Sequence, residues 1–412
     1  MTKETSSEEM ALVEQPEDKI GKKTIKDIDI SGKRVLMRVD FNVPMNEDDS
    51  IADDNRIRAA LPTIEYARSQ GARIILMSHL GRPDGKVVES LRLAPCGKRL
   101  GDLLRAEVKC LKNCVGFKVM EVIRSMSAGD VILLENTRFY PEEEVNDPEF
   151  AKKLAMLADI FVNDAFGTAH RAHASTEGVA HCLPAVAGLL VAKEVKYLGE
   201  AVDNPKRPLV AILGGAKVKD KIKVIENLLD KVDALIIGGG MAYAFLKAYD
   251  VSIGDSKFDE KSFEKAKMLL AMAERKGVPI YLPIDHVASK GGPDGEVMTF
   301  LGDIPNGWVG LDIGPESVEF FKHELASFKT IIWNGPLGLF ENPKFAQGTL
   351  EIAQFIADLE DTITVIGGGD TARVIVESDL LEKMTHVSTG GGASLEYLEG
   401  QGLPGIDVLL DK

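Results

Sequence analysis

The chain has 412 residues, 45% of them hydrophobic, which is enough for more than one buried core and predicts two or three domains. Its formal net charge of −15 excludes a general affinity for nucleic acid or an anionic membrane surface, so any anion bound here must meet a local basic cluster. The four cysteines, Cys96, Cys110, Cys114 and Cys182, form no CxxC pair, which suggests neither a zinc site nor a disulfide framework and fits a reducing cytoplasm.

Residues 1–18 are polar and acidic, lack the basic start and apolar stretch of a secretory signal, and read as a solvated extension. Beyond them, short apolar runs alternate with amphipathic stretches: RVLMRVDF, ARIILMSHL, DVILLENTRF, DIFVNDAFG, PLVAILGG, ALIIGGG, KTIIWNGP and TITVIGGG. Each run ends in Gly, Asn, Asp, His or Arg, and most are followed by helix-like sequence. That order predicts an α/β protein with parallel sheets flanked by helices and ligand groups at the C-terminal strand ends. The longest apolar run, AVAGLLVA, is far shorter than the ~20 residues of a spanning helix.

In the first half, the period of two in RVDFNVP puts Val39, Phe41 and Val43 on one face and Arg38, Asp40 and Asn42 on the other. Those polar side chains belong either to a solvated sheet edge or to a ligand site. Company favours the site: Arg56 in NRIRAA, His79 and Arg82 in SHLGRPDG, Arg138 in ENTRFY and Arg171 in NDAFGTAHRAHAS all fall at strand ends or helix starts. Guanidinium groups hold phosphate and carboxylate through paired hydrogen bonds. Arg58, Arg68 and Arg73 read as surface or ion-pairing residues, and His170 and His173 as shaping the loop of Arg171. Residues 187–204 read as a connecting helix, stopped by Asn204 and Pro205.

The second half has no GxxxxGK[ST] loop. LGGAKVKDK places Lys217 and Lys221 four apart, which predicts one shared helical face and two ammonium groups for one polyphosphate, with Lys219 solvated. Gly238–Gly240 reads equally as a tight turn or as a floor under a flat base. Gly367–Gly369 precedes a helix whose free N–H groups suit a phosphate, and Asp370 and Thr371 follow: Asp370 is either a magnesium ligand or a simple N-cap. GxGxxA at 367–372 matches the dinucleotide fingerprint only loosely, with no acidic residue at the expected distance. Gly390–Gly392 reads as a hinge or a second phosphate cradle.

Ten strings, from RVDFNVP and MSHLGRPDG through LLENTRF, NDAFGTAHRAH, LGGAKVKDKI, IIGGGMAYAFL, GWVGLDIGP, IIWNGPLGLFE and TVIGGGDTA to HVSTGGGASLEYLEG, together resemble the phosphoglycerate kinase family in content and order over about residues 20–410. The resemblance implies two Rossmann-like lobes, a first at 19–186 for 3-phosphoglycerate and a second at 205–394 for ADP or ATP. Residues 395–412 are expected to return to the first lobe. It also implies a reversible, magnesium-dependent transfer between 1,3-bisphosphoglycerate and ADP by a cytoplasmic monomer bound to neither nucleic acid nor membrane. Asp40, Phe41, Asn42, Arg56, His79, Leu80, Gly81, Arg82, Arg138 and Arg171 would bind the acid. Lys217, Lys221, Gly310, Glu341, Gly368, Gly369, Asp370 and Thr371 would bind the nucleotide, with Asn334 beside the phosphates. Arg56, Lys217 and Gly369 would be catalytic, and Asp370 the metal ligand.

An ionised carboxylate needs no general base to attack phosphorus, which agrees with the lack of any evident triad; positioning and positive charge are what the transfer requires. Exclusion of water calls for hinge closure, with the connecting helix and residues 387–394 as hinge candidates. Departures are Lys219, where the family more often has a small residue, and His286, in place of a more usual apolar one. The rival readings are a nicotinamide-dependent dehydrogenase, which lacks its fingerprint here, and a silent scaffold, which should have lost its charged site residues.

Overall fold

Val35, Leu36 and Met37 of strand β1 (Arg34–Arg38) have no solvent exposure, as befits a strand buried on both faces by helices. The protein is described here by a computed structural model covering residues 21–412, the Asp220 side chain excepted; the extension assigned to 1–18 lies outside it. β1 is joined in one sheet by β2 (Arg73–Met77), β3 (Val108–Cys110), β4 (Val131–Leu133), β5 (Ile160–Asn163) and β6 (Ala185–Ala187), in the order β3-β4-β2-β1-β5-β6, all parallel.

A second six-stranded parallel sheet contains β7 (Leu209–Leu213), β8 (Ala234–Ile237) and β9 (Ile280–Tyr281). After a break come β13 (Thr330–Asn334), β14 (Ile363–Gly367) and β15 (His386–Val387), giving the order β15-β14-β13-β7-β8-β9. The fold is therefore two-lobed α/β. In each sheet the first strand lies centrally and the chain winds outward both ways, so crevices open beside the C-terminal ends of β1 and β7, where loops part.

Between β9 and β13 the chain adds an antiparallel sheet that the reading of alternating runs did not anticipate. β10 (Asp285–Lys290) pairs with β11 (Glu296–Leu301) and β12 (Trp308–Ile313) in the order β11-β10-β12. The tight connection GGPDG, with Gly291 and Gly292 at positive φ, forms the hairpin, and β11 is largely exposed although four of its six residues are apolar.

Helix Leu189–Asp203 links the lobes. Its first turn is held by the first lobe: Leu189 N donates to Thr63 Oγ1 at 3.0 Å and Leu190 N to Asp164 Oδ1 at 2.9 Å. Its buried Glu194 grips the second, accepting from Thr389 N at 2.7 Å and meeting His386 Nε2 at 2.8 Å. Val191 and Leu198 belong to one apolar cluster that runs from Leu36 and Phe161 of the first sheet to Leu209 and Ala211 of the second. Near the C-terminus the chain lies on the first sheet: Gly405 N donates to Ala169 O at 2.9 Å, and Leu410 N to Ala185 O at 3.0 Å.

Candidate active site

β1 ends at Arg38, but the extended alternation continues past it. Val39, Phe41 and Val43 are buried, while Asp40 and Asn42 line a cavity of about 290 Å3 at the strand ends of the first lobe. Arg56, in the first turn of helix Asn55–Ser69, donates from Nη1 to Asp40 Oδ2 at 3.1 Å and to Asn42 O at 2.9 Å. Asn42 Oδ1 in turn accepts from Gly81 N at 2.8 Å. Gly81 turns at φ +63, and its carbonyl receives Arg138 Nη1 at 2.9 Å. Arg82, Arg171, His79, His170 and Gly392 complete most of the wall. A Cβ at Gly167 would sit 2.7 Å from Asp40 Oδ2, so glycine there leaves that carboxylate its place beside Arg56.

Two predicted residues are not in this wall. The side chains of Phe41 and Leu80 are buried in the apolar core beneath it. Arg38, read as part of the polar face with Asp40 and Asn42, is 1% exposed and lies behind the cavity, donating from Nε to Ser175 Oγ at 2.8 Å. Asn136 was not anticipated: its amide clasps Leu80, donating to the carbonyl at 2.7 Å and accepting from the N–H at 3.2 Å, so it sets the His79–Gly81 turn.

Electrostatically the cavity is short of negative charge. Burial first, then the charges of Arg38, Arg138, Arg56 and Arg171, hold His79 well below its usual 6.5, so its ring is neutral. Burial also lowers Arg138, whose Nε meets Glu144 Oε1 at 2.9 Å. Arg171 Nε donates to His170 Nε2 at 3.0 Å, which leaves the proton on His170 Nδ1, a buried atom without a partner. The cavity thus suits an anion.

In the second lobe a cavity of about 180 Å3 is walled by Gly215, Gly239, Gly240, Gly310 and Gly338 with Val309, Leu311 and Leu339. Glu341 and Asp370 line it, as do Tyr243 and Lys257, which sequence reasoning missed. Gly310 leaves room for Tyr243, whose hydroxyl would lie 2.0 Å from a Cβ at that position. Behind Tyr243 stands His286, ring centroids 5.6 Å apart, pushed down to about 4 by burial and therefore neutral, with Nδ1 unpartnered.

Lys217 and Lys221 do not share a helical face. They flank the single 3-10 turn Val218–Asp220, and the α-helix begins only at Ile222. Lys217 is exposed, whereas Lys221 is buried and donates to both Asn334 O and Asn334 Oδ1 at 2.6 Å. The difference follows from backbone shape, since the chain at Lys217 is extended (φ −143, ψ 131). Lys219 is exposed. Neither lysine, nor Gly368, Gly369 or Thr371, lines the cavity of Gly310. Thr371 is buried and accepts from Gly335 N at 2.7 Å, while Gly368 (φ +87) begins helix Gly369–Glu377 with Gly369 and Asp370 exposed. Gly392 lines the first-lobe cavity, and a Cβ on neighbouring Gly391 would lie 4.0 Å from Gly369 N. This glycine segment therefore runs between the first-lobe cavity and the start of helix Gly369–Glu377.

A two-lobed α/β chain with an arginine-lined anion cavity on one lobe and a glycine-walled cavity on the other has the make-up of a phosphotransferase handling two substrates. The sequence model of phosphoglycerate kinase matches residues 25–401, so the chain belongs to the phosphoglycerate kinase family. It is 56% identical over 397 residues to a phosphoglycerate kinase of Trichodesmium erythraeum (strain IMS101), covering 95% of this chain and all of the relative. Among solved structures it is similar to a phosphoglycerate kinase from Coxiella burnetii, with TM-score 0.86, 41% identity, and 94% and 98% of the two chains covered. It is also similar to one from Pyrococcus horikoshii OT3, with TM-score 0.77, 33% identity and the same coverage. The reaction of the family is the reversible phosphoryl transfer between the acyl phosphate of 1,3-bisphosphoglycerate and ADP, giving 3-phosphoglycerate and ATP.

Proposed function

We propose that this transfer is carried out between the two cavities, with the acid held by the first lobe and the nucleotide by the second. The observation that carries the reading is the convergence of Arg56, Arg82, Arg138 and Arg171 on one cavity in a chain of net charge −15. Arg138, Arg171 and Arg82 would hold the substrate phosphate through guanidinium hydrogen bonds, and neutral His79 would add an Nε2–H donor, since its Nδ1 faces Arg38 Nη2. Asp40 and Asn42 would take the hydroxyl and carboxylate region.

In the direction from ATP, the ionised carboxylate forms an O–P bond as the bond from the γ-phosphorus to the β-phosphate oxygen breaks. No proton moves. Arg56, on the rim beside Asp40, would neutralise the acid's carboxylate as it approaches, and exposed Lys217 the transferring group. The Gly369 N–H, at the start of a helix, adds a donor where charge spreads. Lys221, Gly368 and Thr371 hold the shape of the phosphate loops, the first through Asn334 and the last through Gly335. Gly310, Glu341 and the floor of Gly239 and Gly240 would receive base and ribose.

Among the described residues no group of three His, Cys, Asp or Glu could cage a metal. A single exposed carboxylate, Asp370, lining the nucleotide cavity fits magnesium, which takes most of its oxygen ligands from phosphates and water. Asp370 would hold the ion, whose charge would offset that of the phosphates. We read the enzyme as a cytoplasmic monomer; no helix of the described residues is long and apolar enough to cross a membrane. Domain limits at 19–186, 187–204, 205–394 and 395–412 are part of the same reading.

The test is turnover of 3-phosphoglycerate with ATP and magnesium, coupled to reduction of the acyl phosphate by NADH. Loss of turnover in both Arg56→Ala and Lys217→Ala supports the assignment. Absence of turnover in a folded parent that binds ATP would overturn it.

A further inference from the structure

Behind the wall of the second-lobe cavity lies a carboxylate that the transfer does not use. Asp312 follows the cavity residue Leu311 in β12 and is 3% exposed. Its Oδ2 accepts from Gly348 N, in the first turn of helix Gln347–Ala357, at 2.8 Å, and its Oδ1 from Ile313 N at 2.9 Å. Two glycines make room for it: a Cβ on Gly338, itself a cavity residue, would lie 2.1 Å from Oδ1, and one on Gly348 would lie 2.7 Å from it. The groups that face it bring no neutralising cation. They are Glu351 of the same helix, which Lys322 of helix Pro315–Leu325 holds at 3.0 Å, the buried Tyr243, and from β10 the neutral His286 opposite Ile313 and Asp285 opposite Gly314. Burial, set against the two N–H groups, pushes Asp312 up to about 7.

We infer that Asp312 is a positioning residue for the nucleotide, its ionised carboxylate holding the Gly338–Leu339 wall and the start of helix Gln347–Ala357 against β12. The inference rests on reading this cavity as the nucleotide site. β12 itself is anchored elsewhere, since Gly310 N donates to the buried Ser256 Oγ at 2.9 Å. The connection that carries Gly338, Leu339 and Glu341 has two ties: Leu339 N donates to Leu311 O at 2.8 Å, and Leu337 N to Thr349 Oγ1 at 3.0 Å. Both end on the elements that Asp312 joins, because Leu311 precedes it in β12 and Thr349 follows the Gly348 whose N–H it accepts. An ionised carboxylate is acceptor only. Protonated, it becomes a poorer acceptor at one oxygen and places a hydrogen in the space that Gly338 and Gly348 leave. The wall then slackens, and nucleotide affinity falls with it.

The experiment is calorimetric binding of ADP, and separately of 3-phosphoglycerate, to the full chain at pH 6 and pH 8.5, for the parent and Asp312→Asn. Asparagine keeps the shape but trades an acceptor for a donor, as protonation does. The titration of ADP itself cancels in the ratio of the two dissociation constants. That ratio is expected to be roughly fivefold at pH 8.5, the size of one net hydrogen bond, and to approach one at pH 6, where the parent is itself protonated, with 3-phosphoglycerate unaffected at both. A ratio that does not change with pH overturns the inference, since a merely structural part would not titrate, and so does an equal weakening of 3-phosphoglycerate. If Asp312→Asn does not fold, Glu351→Gln at the half-buried neighbour decides. With that charge gone Asp312 ionises at lower pH, so ADP should bind tighter than in the parent at pH 7, by up to about twofold, but not at pH 8.5. Absence of that gain overturns the inference while the nucleotide site stands. Failure of the folded parent to bind ADP at either pH overturns the site reading and the inference together.

Discussion

Arg38 Nη2 and His79 Nδ1 lie 3.0 Å apart, both side chains buried, Arg38 behind the anion cavity and His79 in its wall. Arginine can only donate, so His79 Nδ1 must accept and the ring proton sits on Nε2. His79→Ala strands a buried guanidinium hydrogen and removes a donor from the cavity. It should cost about 2–4 kcal/mol in urea unfolding and raise the KM for 3-phosphoglycerate roughly tenfold, with a smaller effect on the KM for ATP. A change confined to the nucleotide KM would contradict the assignment.

Lys217 and Lys221 should separate cleanly. Truncating exposed Lys217 to Ala is expected to lower kcat by about 100- to 1,000-fold with stability within about 0.5 kcal/mol of the parent. Lys221→Ala should also unfold at lower denaturant, by roughly 2–3 kcal/mol, because it leaves Asn334 Oδ1 without its buried donor. Equal unfolding midpoints for the two variants would refute the distinction.

Acid should expose His286. Burial holds it at about 4 in the folded chain against an ordinary 6.5, so below pH 6.5 the unfolded chain takes up a proton that the folded one refuses. The stability this neutral ring contributes is complete above pH 6.5 and is lost as the pH falls towards 4. His286→Phe lacks that loss. Its stability relative to the parent should rise by on the order of 1–2 kcal/mol between pH 7 and pH 4.5, read from denaturant melts across the range. A pH-independent difference would show that the ring titrates normally.

Gly390 abuts Phe166 so closely that a Cβ would stand 2.2 Å from the ring Cδ1. Gly390→Ala must therefore displace the glycine segment that runs from the first-lobe cavity to the start of helix Gly369–Glu377. We expect a loss of roughly 1–3 kcal/mol and a fall in kcat larger than any change in either KM. Phe166→Leu in the same background should restore part of both. No effect of Gly390→Ala on kcat would remove this segment from the catalytic cycle.

Much of this was legible because local rules act in both sheets. Runs such as VLM in β1 and LVAIL in β7 are apolar throughout only where helices cover both faces, and the polar residues that follow them fall where parallel strands release the chain. The antiparallel sheet was missed although KGGPDGE carried a hairpin signal, since β10 and β11 are followed by turns rather than helices and so fall outside the alternation of strand and helix. Phe41 and Leu80, which the resemblance assigns to the acid, have side chains in the core, because residues beside a ligand site in sequence can point into the core below it. Lys257 had no signal at all: it meets Gly310 only through the Ser256 contact, across 54 residues of chain. The lysine pair failed for a local reason, since a spacing of four implies one face only if the helix has already begun.

The edge of the first sheet beyond β6 is finished by the two ends of the described chain. Ala187 N donates to Lys23 O at 2.9 Å, Lys23 N to Leu410 O at 2.7 Å, and Asn163 Nδ2 reaches Gly405 O across 242 residues. On the ribosome, then, the first lobe cannot seal when its own strands have emerged. It waits, with an open border, until the whole second lobe has been synthesised. Premature termination or a nick near residue 403 would injure the lobe farthest away in the message, and leave the nearer one whole.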